Sequence, residues 1–449
     1  MKRETYGLFT AITMIVGIVI GSGIYFRADD IFTLTRGNLL LGILVMIMGS
    51  TSIIFGSLSF SFLSRKATGS GGVINYFETF LTHDLAKGYG WFFSFIYLPS
   101  ISVILGWAAA LYTFILLGIE ATLPMQIGLG LFYNVFLIIV NSLNRKIGSA
   151  LQNVSTVIKL IPLFAIAIYG FFYSDALANN GNMINDFVKE FKTYTWLTAL
   201  VPIAYSLDGW TIALNITPEV KNAKRNMPIA LIVGPIIILI VYITYLIGIH
   251  NILGPEQIIS LGDEAIFVAG KQILGDRLGN VLLTIVVISV LGVLNGICLA
   301  SIRIPQALAE KKMISDKWGI SEIDEKLQIS KKSVYIFIML VVFWNLVHYL
   351  VMNYNIFNGR DISEISIVFN YLIYILLYKK SFEIIKLENK ANTFIPIIAS
   401  LGSIMMLFGS LLTSFVYVGI FLLISGSVVY LGYRYKNKDE ILKRPKFQK

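Results

Sequence analysis

Residues Ile20-Gly21-Ser22-Gly23-Ile24 interrupt an apolar stretch that runs from Leu8 to Ile20 and resumes at Ile24. Away from water, a freed backbone N–H or C=O has no solvent partner. A Gly-Ser-Gly break inside an apolar helix is therefore unfavourable unless it lines a cavity. The break leaves a half-helix end whose N–H groups attract a carboxylate. Glycine also serves close helix packing, and one break alone does not decide between the two uses. A second interruption lies in Tyr205-Ser206-Leu207-Asp208-Gly209-Trp210, within an apolar run that starts near Leu197. An aspartate at mid-depth in a bilayer costs at least about 2.5–3.5 kcal/mol on insertion scales. It either serves a ligand path or braces the unwound segment by accepting nearby backbone N–H bonds. The third chemical candidate is Lys159, in Thr156-Val157-Ile158-Lys159-Leu160-Ile161-Pro162. Its ammonium either snorkels to the interface or is buried against carbonyl and hydroxyl groups.

These groups need apolar helices to hold them. The chain has 449 residues, 56% hydrophobic and 14% charged, whereas soluble domains carry about 25% charged residues. Its apolar stretches repeat at roughly the 20-residue length that spans a bilayer. We read about twelve spans, at 8–34, 38–63, 88–117, 125–143, 149–173, 194–217, 229–250, 279–309, 333–352, 362–378, 393–413 and 415–434. The third and eighth are long enough to tilt. The expected organisation is one transmembrane domain over 1–437, with a basic tail at 438–449 suited to anionic lipid. No cleavable signal peptide is evident.

The net charge of +10 does not point to nucleic acid, because the charges fall in short loops between spans. On the side of the N-terminus there are 27 Lys and Arg residues. The opposite side has 7, and Lys159 and Arg303 lie within or at the edge of spans, which accounts for all 36. This asymmetry predicts both termini in the cytoplasm and an even number of spans. The single cysteine, Cys298, lies in an apolar segment, so no disulfide-linked partner is expected.

The second break comes five spans after the first. Matching breaks in the first helix of each of two five-span halves, about 8–174 and 194–378, predict a 5+5 inverted repeat. Two extra helices, 393–434, follow.

Several motifs resemble the amino acid–polyamine–organocation superfamily, and most of all the bacterial relatives of the L-type amino acid transporters. Ile20-Gly21-Ser22-Gly23-Ile24-Tyr25 is similar to the family's first-span motif, and Gly69-Ser70-Gly71-Gly72-Val73-Ile74-Asn75-Tyr76 to the segment after span two. Asp208-Gly209-Trp210, Thr217-Pro218-Glu219-Val220-Lys221-Asn222 and Arg225-Asn226-Met227-Pro228 resemble span six and its exit. Ser289-Val290-Leu291-Gly292-Val293-Leu294-Asn295-Gly296 with Arg303 resembles span eight. The resemblance implies an all-α polytopic membrane protein of the LeuT type, with broken helices one and six.

It also implies a site. The substrate carboxylate would meet Gly21, Ser22 and Gly23, beside Ile24. Its amino group would meet carbonyls near Ile18 and Ile20 and in the segment Tyr205, Ser206, Leu207 and Asp208. Tyr205 matches an aromatic gate. Lys159 matches a span-five lysine of sodium-independent members, whose ammonium stands where sodium binds in other relatives. It would bridge span one near Gly17 and Ile18 to Ser289. Leu207 and Val293 depart from the family pattern. Arg27, Asp29 and Asp30 add charge to the outer half of span one, which we read as a mutual salt bridge.

The implied function is sodium-independent transport of amino acids, neutral ones by the apolar character of Leu207 and Val293, across the plasma membrane as an exchanger or facilitator. Proton-coupled symport is the alternative, and a non-transporting sensor is the reading from another class. No Walker A pattern is present. No zinc-ligand spacing is present either, and His83, His250 and His348 fall near predicted span ends. An enzyme would need convergent catalytic groups, so neither catalysis, metal nor cofactor is expected. A monomer is the expected state.

Overall fold

The computed structural model describes residues 6–25, 27–67, 69–143, 145–172, 183–356, 361–388, 390–413 and 415–436. The tail expected at 438–449 and the side chains of Ser22, Tyr25 and Tyr205 lie outside the described set. Among the described residues there is no strand; the one β-type pairing is an isolated bridge between Tyr6 and Val220.

Span one is Leu8–Val19, a break, Ser22–Tyr25 and then Ala28–Leu34. Span two is Leu39–Ser64, span three His83–Leu117, span four Leu123–Leu143 and span five Arg145–Phe172. Span six opens on a 3₁₀ turn at Thr195–Ala199 and continues as Leu200–Ser206. It breaks at Leu207–Gly209 and resumes as a 3₁₀ helix, Trp210–Glu219. Span seven is Ala223–Leu253, span eight Asp276–Ser301, span nine Lys331–Asn353 and span ten Glu364–Glu388. Spans eleven and twelve are Phe394–Thr413 and Phe415–Arg434.

Nine of the described helices are long and apolar enough to cross a bilayer alone. Spans one and six fail that criterion because they are broken. Large apolar side chains such as Phe132, Phe136, Phe164, Met339, Phe343, Phe408 and Leu423 are exposed on spans four, five, nine, eleven and twelve. A surface of that kind needs lipid, not water, around it.

The two halves meet as an inverted repeat requires. Spans that would exchange under a two-fold axis pack on each other: two on seven, three on eight, four on nine, and the two halves of span one on span six. The sequence limits hold to within a turn at most ends, but span three opens at His83 and not 88, span seven at Ala223 and not 229, and span ten runs on to Glu388 and not 378, since charged or polar end turns carry no apolar signal. Span eight does not run to 309. It ends at Ser301, and a separate helix, Ile304–Glu310, follows because Pro305 has no N–H to continue the ladder. Short helices outside the spans, Val73–Phe80, Met183–Phe191, Pro255–Leu261 and Ala265–Leu274, were not legible as apolar runs.

Phe60 of span two anchors the middle of the bundle. Its ring lies 5.2 Å from Trp210, 5.4 Å from Tyr374, 5.5 Å from Tyr76 and 5.8 Å from Tyr378. Trp210 is fully buried there, so the lower half of span six is held rigidly just past its break.

Candidate functional site

The breaks of spans one and six face each other across a cavity. Close approach of the backbones decides where glycine stands. A Cβ on Gly23 would lie 2.7 Å from Ser206 Cα, and a Cβ on Gly21 would run into the Val293 side chain. Gly209 has φ +96°, a left-handed conformation that a side chain resists. There it also lets Ile18 approach to where a Cβ would be 2.7 Å from Ile18 Cγ2.

Hydrogen bonds tie the breaks together. The Ser206 hydroxyl is 2.8 Å from both the Gly23 and the Pro202 carbonyl oxygens. The Tyr242 hydroxyl of span seven is within reach of Ser206 O at 2.7 Å and Val19 O at 3.0 Å. The carbonyls freed by unwinding are thus largely accounted for, as the absence of water demands.

Lys159 is fully buried. Its ammonium donates to the carbonyls of Gly17 and of Ile20, the latter at 2.8 Å. It does not snorkel. Asn153, Thr156 and Lys159 are three residues apart and share the face of span five that meets span one: Thr13 donates to Asn153 Oδ1 at 2.6 Å, and Thr156 to Thr13 O at 3.3 Å. Two details differ from the sequence reading. The second carbonyl is Ile20, not Ile18. The Ser289 hydroxyl, also fully buried, makes no hydrogen bond among the described residues. Toward span eight the ammonium comes instead to Gly292, where a Cβ would stand 3.9 Å away. The physical reason is that the chain turns extended at Ile20 (ψ 102°), which aims that carbonyl off the helix axis.

Asp208 lines the cavity and accepts a hydrogen bond from Tyr97 Oη at 2.7 Å. Tyr97 was missed in the sequence, though its signal is there. Pro99 lacks an N–H and crowds the carbonyl four residues back, that of Phe95. Span three responds with a π-helical turn over Phe93–Tyr97, a distortion common at functional sites. The freed Phe95 carbonyl accepts the Trp344 indole N–H at 2.7 Å, and the turn presents Tyr97 to Asp208.

The remaining walls are apolar: Ile101 and Leu105 from span three, Ile212 from span six, Val293 and Ile297 from span eight and Ile367 from span ten. The site therefore combines unwound backbone and one carboxylate with an apolar lining, which is the usual composition of a small-molecule pocket. Of the residues singled out in the sequence, Ile18, Gly21, Gly23 and Asp208 line the cavity. Ile20, Ser206 and Leu207 support it: Tyr371 Oη lies 3.4 Å from Leu207 O. Ile24 is fully buried behind it. Arg27 pairs with Asp30 at 2.8 Å on a partly exposed surface, as the salt-bridge reading expects. His250 is buried in the last turn of span seven and His348 in the last two turns of span nine, near span ends as expected; His348 packs edge-on against Trp107 at 5.0 Å.

On the side of the chain's N-terminus, backbone and ion-pair contacts tie the ends of spans one, six and eight together. Tyr6 N–H donates to Glu219 O at 2.9 Å and Lys221 N–H to Tyr6 O at 2.8 Å. Arg303 pairs with Glu219 at 2.8 Å, both largely buried.

The sequence model of a family described as amino acid permease matches residues 6–439. The serine/threonine exchanger SteT of Bacillus subtilis is 26% identical over 442 residues, covering 96% of this chain and 97% of that one. The b(0,+)-type amino acid transporter 1 of Oryctolagus cuniculus is 27% identical over 311 residues, or 67% of this chain; the match spans 62% of that longer protein. Among solved structures, the crystal structure of MhsT in complex with L-phenylalanine superposes with a TM-score of 0.63 at 16% identity, over 92% of this chain and 99% of that one. At that identity the likeness speaks for the fold, which is of the LeuT type.

Proposed function

Since the chain belongs to the amino acid permease family, we propose that it carries neutral L-amino acids across the plasma membrane by alternating access, without sodium, as an exchanger or facilitator with both termini in the cytoplasm. One observation carries the reading: the Lys159 ammonium occupies the carbonyls of Gly17 and Ile20 at the break of span one. A sodium ion there would need those same oxygens, and a fixed cation removes the need for a mobile one. The carboxylate of the substrate meets the N–H groups of Gly21, Ser22 and Gly23. Its ammonium meets freed carbonyl oxygens of the two breaks, Ile18 foremost since Ile20 already serves Lys159, and its side chain lies among Ile101, Leu105, Val293 and Ile297. Exchange is supported by the name of the relative that matches over nearly its whole length.

The test is efflux from proteoliposomes preloaded with labelled neutral amino acids, L-serine and L-threonine included, at equal pH and without sodium. Efflux that requires external amino acid is the expected result. Efflux into buffer alone would indicate a facilitator. A requirement for an imposed pH gradient would replace the proposal with proton-coupled symport, and a requirement for sodium would overturn the role of Lys159.

A further inference from the structure

A second cavity lies on the N-terminal side of the first. Its wall includes Asn215, Glu219, Arg303, Gln306, Ala307 and Glu310. The two cavities share their tracks. Trp210–Glu219 is a 3₁₀ helix, in which residues three apart are eclipsed. Ile212 lines the first cavity, and Asn215 and Pro218, on the same face, line the second. Span eight and the helix that follows it do the same: Val293 and Ile297 line the upper cavity and Ile304 the lower.

The polar groups facing this second cavity are underused. Asn215 is only 4% exposed, yet neither its amide N–H₂ nor its carbonyl oxygen has a hydrogen-bond partner among the described residues. Arg303 spends Nε on Glu219 and Nη1 on the Leu299 carbonyl, while Nη2 is buried with no such partner. Buried polar groups left in this state are rare and signal a missing ligand or water. The set is chemically mixed. Arg303 Nη2 and Asn215 Nδ2 are donors suited to a carboxylate; Asn215 Oδ1 and the carboxylates of Glu219 and Glu310 are acceptors suited to an ammonium.

From this arrangement we infer that the second cavity is a transit site for the zwitterionic head of an amino acid, visited between the central cavity and the N-terminal face of the membrane. The inference rests on the amino acid transport proposed above. Asn215 is its recognition residue and Arg303 Nη2 its carboxylate donor. The Glu219–Arg303 pair, which ties the ends of spans six and eight together, is at the same time one wall of the site, so arrival of a zwitterion there gives both charges a new partner as those ends part.

Such a site acts from one face only. The experiment measures the half-saturating concentration of L-serine for exchange at each face of uniformly oriented proteoliposomes holding the full chain. Asn215→Leu, which keeps the number and branching of side-chain heavy atoms and removes both polar groups, should raise that concentration about tenfold at the N-terminal face and leave the opposite face unchanged. Ala307→Leu, which fills the cavity from the facing wall, should give the same one-sided effect and covers the case in which Asn215→Leu does not fold. Equal values at the N-terminal face for wild type and variant, or an equal rise at both faces, overturns the transit site. Failure of the wild type to exchange any amino acid overturns the transport reading itself, and with it the inference.

Discussion

A buried ammonium on two backbone carbonyls is a demanding arrangement, because each charge taken out of water must be matched by fixed dipoles. Lys159→Ala leaves the Gly17 and Ile20 carbonyls without their donor while removing the charge that was costly to bury. The variant is therefore expected to fold, with exchange reduced at least about tenfold if each lost charge-assisted bond contributes roughly 1.5–3 kcal/mol to holding the break. Gel filtration and flux measured side by side check this; a variant with wild-type flux and affinity sinks the assignment. Tyr97 and Asp208 form the other charge-assisted contact. Tyr97→Phe and Asp208→Asn should each weaken substrate binding, and the double variant should be no weaker than the worse single one, since both remove the same bond. Additive losses in equilibrium binding would mean that the two residues act separately.

At the scale of elements, spans one, six and eight touch through absent side chains. Gly21→Ala pushes a methyl group into Val293, so it should impair exchange, and Val293→Ala in the same chain should restore most of it. No recovery in the double variant would place the damage elsewhere than at the contact of spans one and eight. Ser22→Trp should abolish binding outright, because the break between Gly21 and Gly23, both of which line the cavity, leaves little room for an indole. Retained binding would show that the substrate lies in another cavity. The π-helical turn of span three and the 3₁₀ stretch of span six belong to this scale as well. Each places a polar residue, Tyr97 or Asn215, on a face that a regular α-helix would have turned elsewhere.

For the whole molecule, the distribution of Lys and Arg predicts an orientation. With 27 of the 36 on the N-terminal side of the spans, tags at both ends should be cleaved by protease only after cells are opened. Cleavage of both tags on intact cells would reverse the topology and the sidedness of the transit site, and cleavage of one alone would mean an odd number of spans. The same view explains the contacts of Tyr6, Glu219, Lys221 and Arg303: a segment ahead of span one, the end of span six and the end of span eight meet at one place, so movement of any one of the three must break the others' contacts.

Hydropathy and local residue order alone determined the number of spans, the two breaks and the repeat they imply, and marked out Lys159 and Asp208 as candidates. These are properties of short windows: apolar length against bilayer thickness, glycine in a run of large residues, a charge where water is absent. Which atoms those residues meet was decided only by the tertiary structure. Lys159 reaches Ile20 across 139 residues and Tyr97 reaches Asp208 across 111. Nothing within a window encodes which helices become neighbours or how far each is rotated. The second cavity is the clearest case. Asn215 and Arg303 are ordinary polar residues near the ends of spans in the sequence, and become a shared recognition surface only because spans six and eight pack side by side with those faces turned together.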